Sequence, residues 1–222
     1  SCLNHIIDEG PYKGESVAFL LARTVEGYFI FQDNGYRLAR LINENSLNYV
    51  IKQGAHKGES VAFWLAKTPE GQAILEEDGC RLARLINESC FNHIIEEGPH
   101  KGESVAFWLA RTAEPSILQA DDGRLARLIN ETSLNHVIKE GPHEGESAAF
   151  WLAGTAEGQF MLQDGGCRLA RLINESCLNH VIKEGPHEGE SVAFWLSAIE
   201  QGQFILQDDN CPLVSLINET SL

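Results

Sequence analysis

The chain has 222 residues, 43% of them hydrophobic, and a net charge of −15 at pH 7. That length can bury a substantial core without disulfides or metals. The acidity argues against a nucleic-acid surface, which needs a basic field to displace counterions, and against adsorption to anionic membrane. The longest apolar runs, such as Val61 to Ala66, are too short to span a bilayer.

A block reading Gly-Glu-Ser-Val-Ala-Phe, with Ala148 for Val in the fourth, begins at Gly14, Gly58, Gly102, Gly145 and Gly189, at offsets of 44, 44, 43 and 44 residues. We divide the chain into five tandem copies, 3–46, 47–90, 91–133, 134–177 and 178–222, within one repeat domain spanning 1–222. Near-identical units of this size predict stacked modules, each burying its apolar face on the next. The same repetition argues against an enzyme, because an active site needs one unrepeated constellation of different groups. The chain starts and stops in the same phase of the repeat, which leads us to expect a fragment of a longer array or protein.

The second copy serves to describe one unit. Ser46 followed by Leu47, Val50 and Ile51 predicts a first helix ending at Gly54. A second helix is expected from Glu59-Ser60 through Val61-Ala62-Phe63-Trp64-Leu65-Ala66, apolar on nearly all sides and therefore sandwiched between neighbours. Thr68-Pro69-Glu70 starts a third: Thr caps, Pro takes N1, and Glu meets the positive first turn. That helix carries Ile74 and Leu75 and stops near Asp78-Gly79. The fourth carries Leu82, Leu85 and Ile86 on one side and Arg81, Arg84 and Glu88 on the other. The fold class expected is all-α, an elongated α-solenoid with three to four short helices per copy. The third copy is one residue short at Glu114-Pro115-Ser116, with Gly123 directly before Arg124, and we expect the turn before its fourth helix to absorb the loss. The end copies deviate most, with Leu20 for Trp64 and Pro212-Leu213-Val214-Ser215 for Arg-Leu-Ala-Arg, as capping repeats do.

Gly58-Glu59-Ser60, then Leu65-Ala66, Gly71 and Leu75, resembles a stretched ankyrin repeat over about half of each copy. Leu-Ala falls a residue late, Pro-Leu-His is absent, and the 44-residue period is similar to that of armadillo or HEAT units. The resemblance implies protein binding along a concave surface. Such arrays recur among effectors of intracellular bacteria, which would make the partner a host-cell protein and the location a cytosol, the bacterium's own or the host's.

Candidate binding residues follow as ladders. Asn4, Asn48, Asn92, Asn135 and Asn179 could grip a peptide backbone, since an amide both donates and accepts. The alternative is that they cap helix ends or bridge copies, as could Asn43, Asn87, Asn130, Asn174 and Asn218. With the first ladder we group the loop histidines His56, His100, His143 and His187 as a partner-binding face. The alternative ligand site is an arginine stripe, Arg81, Arg84, Arg124, Arg127, Arg168 and Arg171, suited to carboxylates or phosphates; those arginines could equally pair with Glu44, Glu88, Glu131 and Glu175. Tyr12, Tyr28, Phe29, Phe31 and Tyr36 give the first copy an aromatic character, either hot spots or the core of a cap.

The six cysteines sit at two repeat positions that also hold Ser46, Ser133 or Tyr36, so no disulfide pairing is implied. Cys90 with His93 and His100, and Cys177 with His180 and His187, are zinc ligands by type but lack a fourth partner. We therefore expect no metal, cofactor or catalytic residue. The expected function is a protein–protein interaction scaffold; the rivals are a sensor of acidic or phosphorylated ligands and a passive spacer or oligomerisation arm.

Overall fold

A serine, a threonine and an asparagine cap helices in copies one, two and four, while in copy five Ile199 takes the threonine's place with no side-chain cap. In the computed structural model, which describes residues 2–112, 116–208 and 211–218, all regular structure is helical, and the described residues contain no strand. The helices are α1 (Val17–Ala22), α2 (Val25–Tyr36), α3 (Glu44–Asn48), α4 (Val61–Lys67), α5 (Pro69–Leu85), α6 (Glu88–Phe91) and α7 (Val105–Ala110). They continue with α8 (Ser116–Leu128), α9 (Glu131–Asn135), α10 (Ala148–Ala153), α11 (Ala156–Cys167), α12 (Glu175–Leu178), α13 (Val192–Ala198) and α14 (Glu200–Gln207).

The first cap differs from the sequence expectation. Asn43, not Ser46, begins the first helix, its side chain accepting from Ser46 N, and α3 ends at Asn48. Leu47–Ile51 is not one helix: Tyr49 is already extended. The reason lies in the loop that follows. Ile51 N–H donates to Glu59 O at 3.0 Å and Gly58 N–H to Ile51 O at 2.8 Å, so the backbone groups a helix would use are paired across the turn. The same pair recurs at Ile7, Ile95, Ile138 and Ile182. Gly58 has φ +89°, and a Cβ there would stand 3.1 Å from Ile95 of the next copy, which is why this loop reads Gly-Glu-Ser.

The second and third helices match their signals. Ser60 caps α4 through Phe63 N, and Thr68 caps α5 through Gly71 N with Pro69 in the first turn. All six residues of α7 are buried, as expected of a helix enclosed by its neighbours. Gly71 admits the close crossing of α4 and α5, since a Cβ would fall 2.4 Å from Leu65 O. The break before the fourth segment is left-handed at Asn34, Gly35 and Tyr36, as it is at Asp122 and Gly123 and at Gly166 and Cys167.

Successive copies pack like on like. α1, α4, α7, α10 and α13 contact one another in order and form the continuous core, with Phe63, Leu65, Leu109, Phe150 and Leu196 buried in it. Outside them α2 packs on α5, α5 on α8, and α11 on α14, but between α8 and α11 a cleft opens. The spacing from Ile117 to Arg124 equals that from Ile74 to Arg81, so the missing residue of copy three is lost ahead of Ile117 and not in the later turn. Ala113–Pro115, where the shortening falls, lies outside the described residues, as does the extreme end of the last copy. No described helix is long and apolar enough to cross a membrane.

Candidate functional site

The first asparagine ladder is spent within the copies, tying the start of each to its own end. Asn48 Nδ2 donates to Leu85 O at 2.7 Å and its Oδ1 accepts from Asn87 N at 2.9 Å. Asn4, Asn92, Asn135 and Asn179 repeat this pair of bonds with Leu41 and Asn43, Leu128 and Asn130, Leu172 and Asn174, and Leu216 and Asn218. The second ladder caps: Asn43, Asn87, Asn130 and Asn174 each accept from the backbone three residues on. Both amide rows therefore satisfy backbone groups: the second caps helices, as weighed above, and the first joins the two ends of a copy rather than bridging copies.

The loop histidines also face inward. His56, His100, His143 and His187 place Nδ1 2.8–3.1 Å from Glu59, Glu103, Glu146 and Glu190. The same carboxylates accept from the indole N–H of Trp64, Trp108, Trp151 and Trp195 at 2.8–3.2 Å. Trp64, Trp108 and Trp151 then meet the next copy's histidine edge-on: Trp64 and His100, for example, at 5.3 Å and 89°. Burial would raise the Glu103 pKa, but His100, Lys67 and Trp108 outweigh it and hold the carboxyl below its usual value. Lys67 lies over both Trp64 and Trp108, and Arg111 over Trp108 and Trp151, so cations alternate with indoles through the middle junctions. Copy one has Tyr12 and Leu20 at the His and Trp positions, and its buried Glu15 keeps one oxygen without a partner.

The first arginine of each pair reaches back to the preceding copy. Arg81 donates to Ile42 O, Arg124 to Ala83 O and Ile86 O, and Arg168 to Ala126 O, Arg127 O and Ile129 O, at 2.9–3.4 Å. Arg127 donates to Asp122 O; the side chains of Arg84, Arg127 and Arg171 are exposed. Cys90 and Cys177 lie against the cap hydroxyls Ser60 and Ser147, and burial pushes both thiols up to about 11. Among the described residues no group of three metal-binding side chains comes together. The side chain of Cys80 lies outside the described set.

The surface left open is the outer side of the third helices. Phe29, Phe160 and Phe204 occupy one repeat position and are 65%, 53% and 49% exposed. An exposed carboxylate sits one turn N-terminal to each: Glu26, Glu157 and Glu200. Of the other aromatics in copy one, Tyr28 and Phe31 are core, Tyr12 is exposed and Tyr36 is half-buried. Phe160 and Phe204 went unremarked in the sequence; their signal was a phenylalanine in the register of Phe29, where copies two and three have Ala73 and Ser116. Beside Phe160 lies the α8–α11 cleft, about 460 Å³, floored by Leu118, Ala126, Met161 and Leu169.

No protein-family model, curated protein or solved structure matches this chain.

Proposed function

We propose that the chain is an elongated helical solenoid of five copies that works as a protein-interaction scaffold, gripping a partner segment along the outer face of its third helices. The observation that carries this is the row of exposed phenylalanines, each with a carboxylate one turn away, in a chain of net charge −15. Phe160 and Phe204 belong to the adjoining helices α11 and α14, so the rings stand roughly one helix spacing apart, about 8–10 Å. Aromatic anchors with a charged rim are the usual makings of a hot spot. The complementary segment carries aromatic or aliphatic anchors flanked by lysine or arginine. In this reading the asparagine ladder closes each copy, the histidine ladder holds the copies in register, and the face that meets the partner is the one the polar fittings leave free.

A peptide-display selection against the parent protein and a Phe160→Ala/Phe204→Ala variant tests it. Copies two and three carry Ala73 and Ser116 at this position, so the fold accommodates the change. Selected peptides should be basic and aromatic and should lose affinity at least about tenfold on the variant, a difference of about 1.4 kcal/mol. Peptides that bind both proteins equally would move the site elsewhere, and selection of acidic peptides would favour the arginine stripe.

A further inference from the structure

The cleft between α8 and α11 has a counterpart between α2 and α5, built from the same repeat positions. In the first junction Ala39 and Arg40 face Ile74, Glu77, Arg81 and Leu82. In the third, Ala126 and Arg127 face Met161, Asp164, Arg168 and Leu169. Two exchanges in the lining are mild, Ile74 for Met161 and Glu77 for Asp164, and a third is large. Immediately before the arginine, copy one has Tyr36 and copy three has Gly123. With the tyrosine present about 10 Å³ is left; with glycine there the cleft measures about 460 Å³. Both residues are left-handed, φ +61° for Tyr36 and +71° for Gly123, so glycine leaves a side chain missing at a like backbone position; α8 and α11 also pack less closely than α2 and α5.

We propose that the α8–α11 cleft is a binding site for a phenol-class aromatic ring, taking the place that Tyr36 fills in the first junction. Leu118, Met161 and Leu169, all buried, supply the apolar floor. Asp122, Asp164 and Gln119 supply hydrogen-bond acceptors for a ring hydroxyl. Arg168 is committed to three backbone carbonyls and Arg127 donates to Asp122 O, so the lining favours a hydroxyl donor over a carboxylate. The volume falls in the range of small-molecule sites and leaves room for the group that carries the ring. This site does not depend on the phenylalanine face.

The test is titration of the whole chain with p-cresol, followed by saturation-transfer NMR and calorimetry. The parent should bind one equivalent, and Gly123→Tyr should weaken binding at least about tenfold. Tyr at this position is native to copy one, and a Cβ on Gly123 meets only Leu118 O, at 3.9 Å. Conversely, Tyr36→Gly should open the first junction and add a second equivalent, a gain that decides the matter even if Gly123→Tyr folds poorly. Benzoate should bind at least about tenfold more weakly than p-cresol. N-acetyl-L-tyrosinamide distinguishes the source: binding comparable to p-cresol points to a tyrosine of a polypeptide, and binding of p-cresol alone to a free phenol. Absence of p-cresol binding by the parent, affinity unchanged in Gly123→Tyr, no second equivalent in Tyr36→Gly, or equal binding of benzoate would each overturn the proposal.

Discussion

Replacing Asn92 with alanine removes a clasp between the two ends of copy three. Its Nδ2 donates to Glu88 O at 3.0 Å within its own turn and to Leu128 O at 2.8 Å across the copy, while Oδ1 accepts from Asn130 N at 3.2 Å and from Ser133 Oγ. A hydrogen bond contributes about 1 kcal/mol net, and a half-buried group left unpaired costs somewhat more. With the Leu128 carbonyl and the Asn130 N–H both stranded, the loss should be about 2–4 kcal/mol. Asn92→Asp should not rescue it. An aspartate still accepts from Asn130 N–H, but it sets a negative charge against the carbonyls of Glu88 and Leu128. Urea unfolding followed by circular dichroism reads the midpoint and slope. A loss under about 0.5 kcal/mol would refute the structural role and return the ladder to the candidates for peptide binding.

Two further expectations concern protons and thiols. His93, His136 and His180 are pushed to lower pKa, first by burial and then, for His136 and His180, by neighbouring lysines. A folded-state pKa below the unfolded value of about 6.5 means stability present above that pH and lost as pH falls towards the folded value. The thermal midpoint should therefore drop on acidification from neutrality. Tyrosine at all three positions, as Tyr49 occupies copy two, should flatten that slope, and an unchanged slope would disprove the assignment. For the thiols, burial drives Cys90 and Cys177 to about 11 despite their serine neighbours, whereas Cys2 is exposed. Iodoacetamide on the native protein at pH 8 should label Cys2 and spare Cys90 and Cys177 until denaturant is added; mass spectrometry of the digested chain checks this.

The helices of the middle of each copy were legible because their signals are local. Ser60, Thr68 and Pro69 act within one turn of themselves, and the all-apolar run of Val105–Ala110 can only be an enclosed helix. The first segment was misread because its fate is settled across a loop. Leu47, Val50 and Ile51 have helical spacing, yet Ile51 pairs with Gly58 and Glu59, and no spacing rule sees that bond. The asparagines were ambiguous for a similar reason. An exposed amide and one that closes a copy look identical until the carbonyl at the copy's far end, 37 residues away, is in place. The phenylalanine face was hidden by its own gaps, since Ala73 and Ser116 interrupt the register. The cleft left only Gly123 as a trace.

The arginine clasps all point one way. Arg81 completes carbonyls of copy one, Arg124 those of copy two and Arg168 those of copy three, so each of the first three copies is finished by its successor. During synthesis the most recently made copy is thus always the unfinished one, and order advances behind the ribosome with a lag of one unit. Pro212 stands where the fifth copy would supply its arginine and has no side-chain donor to offer. The seam between copies four and five therefore lacks a guanidinium, and copy four is the place where the array would begin to fray.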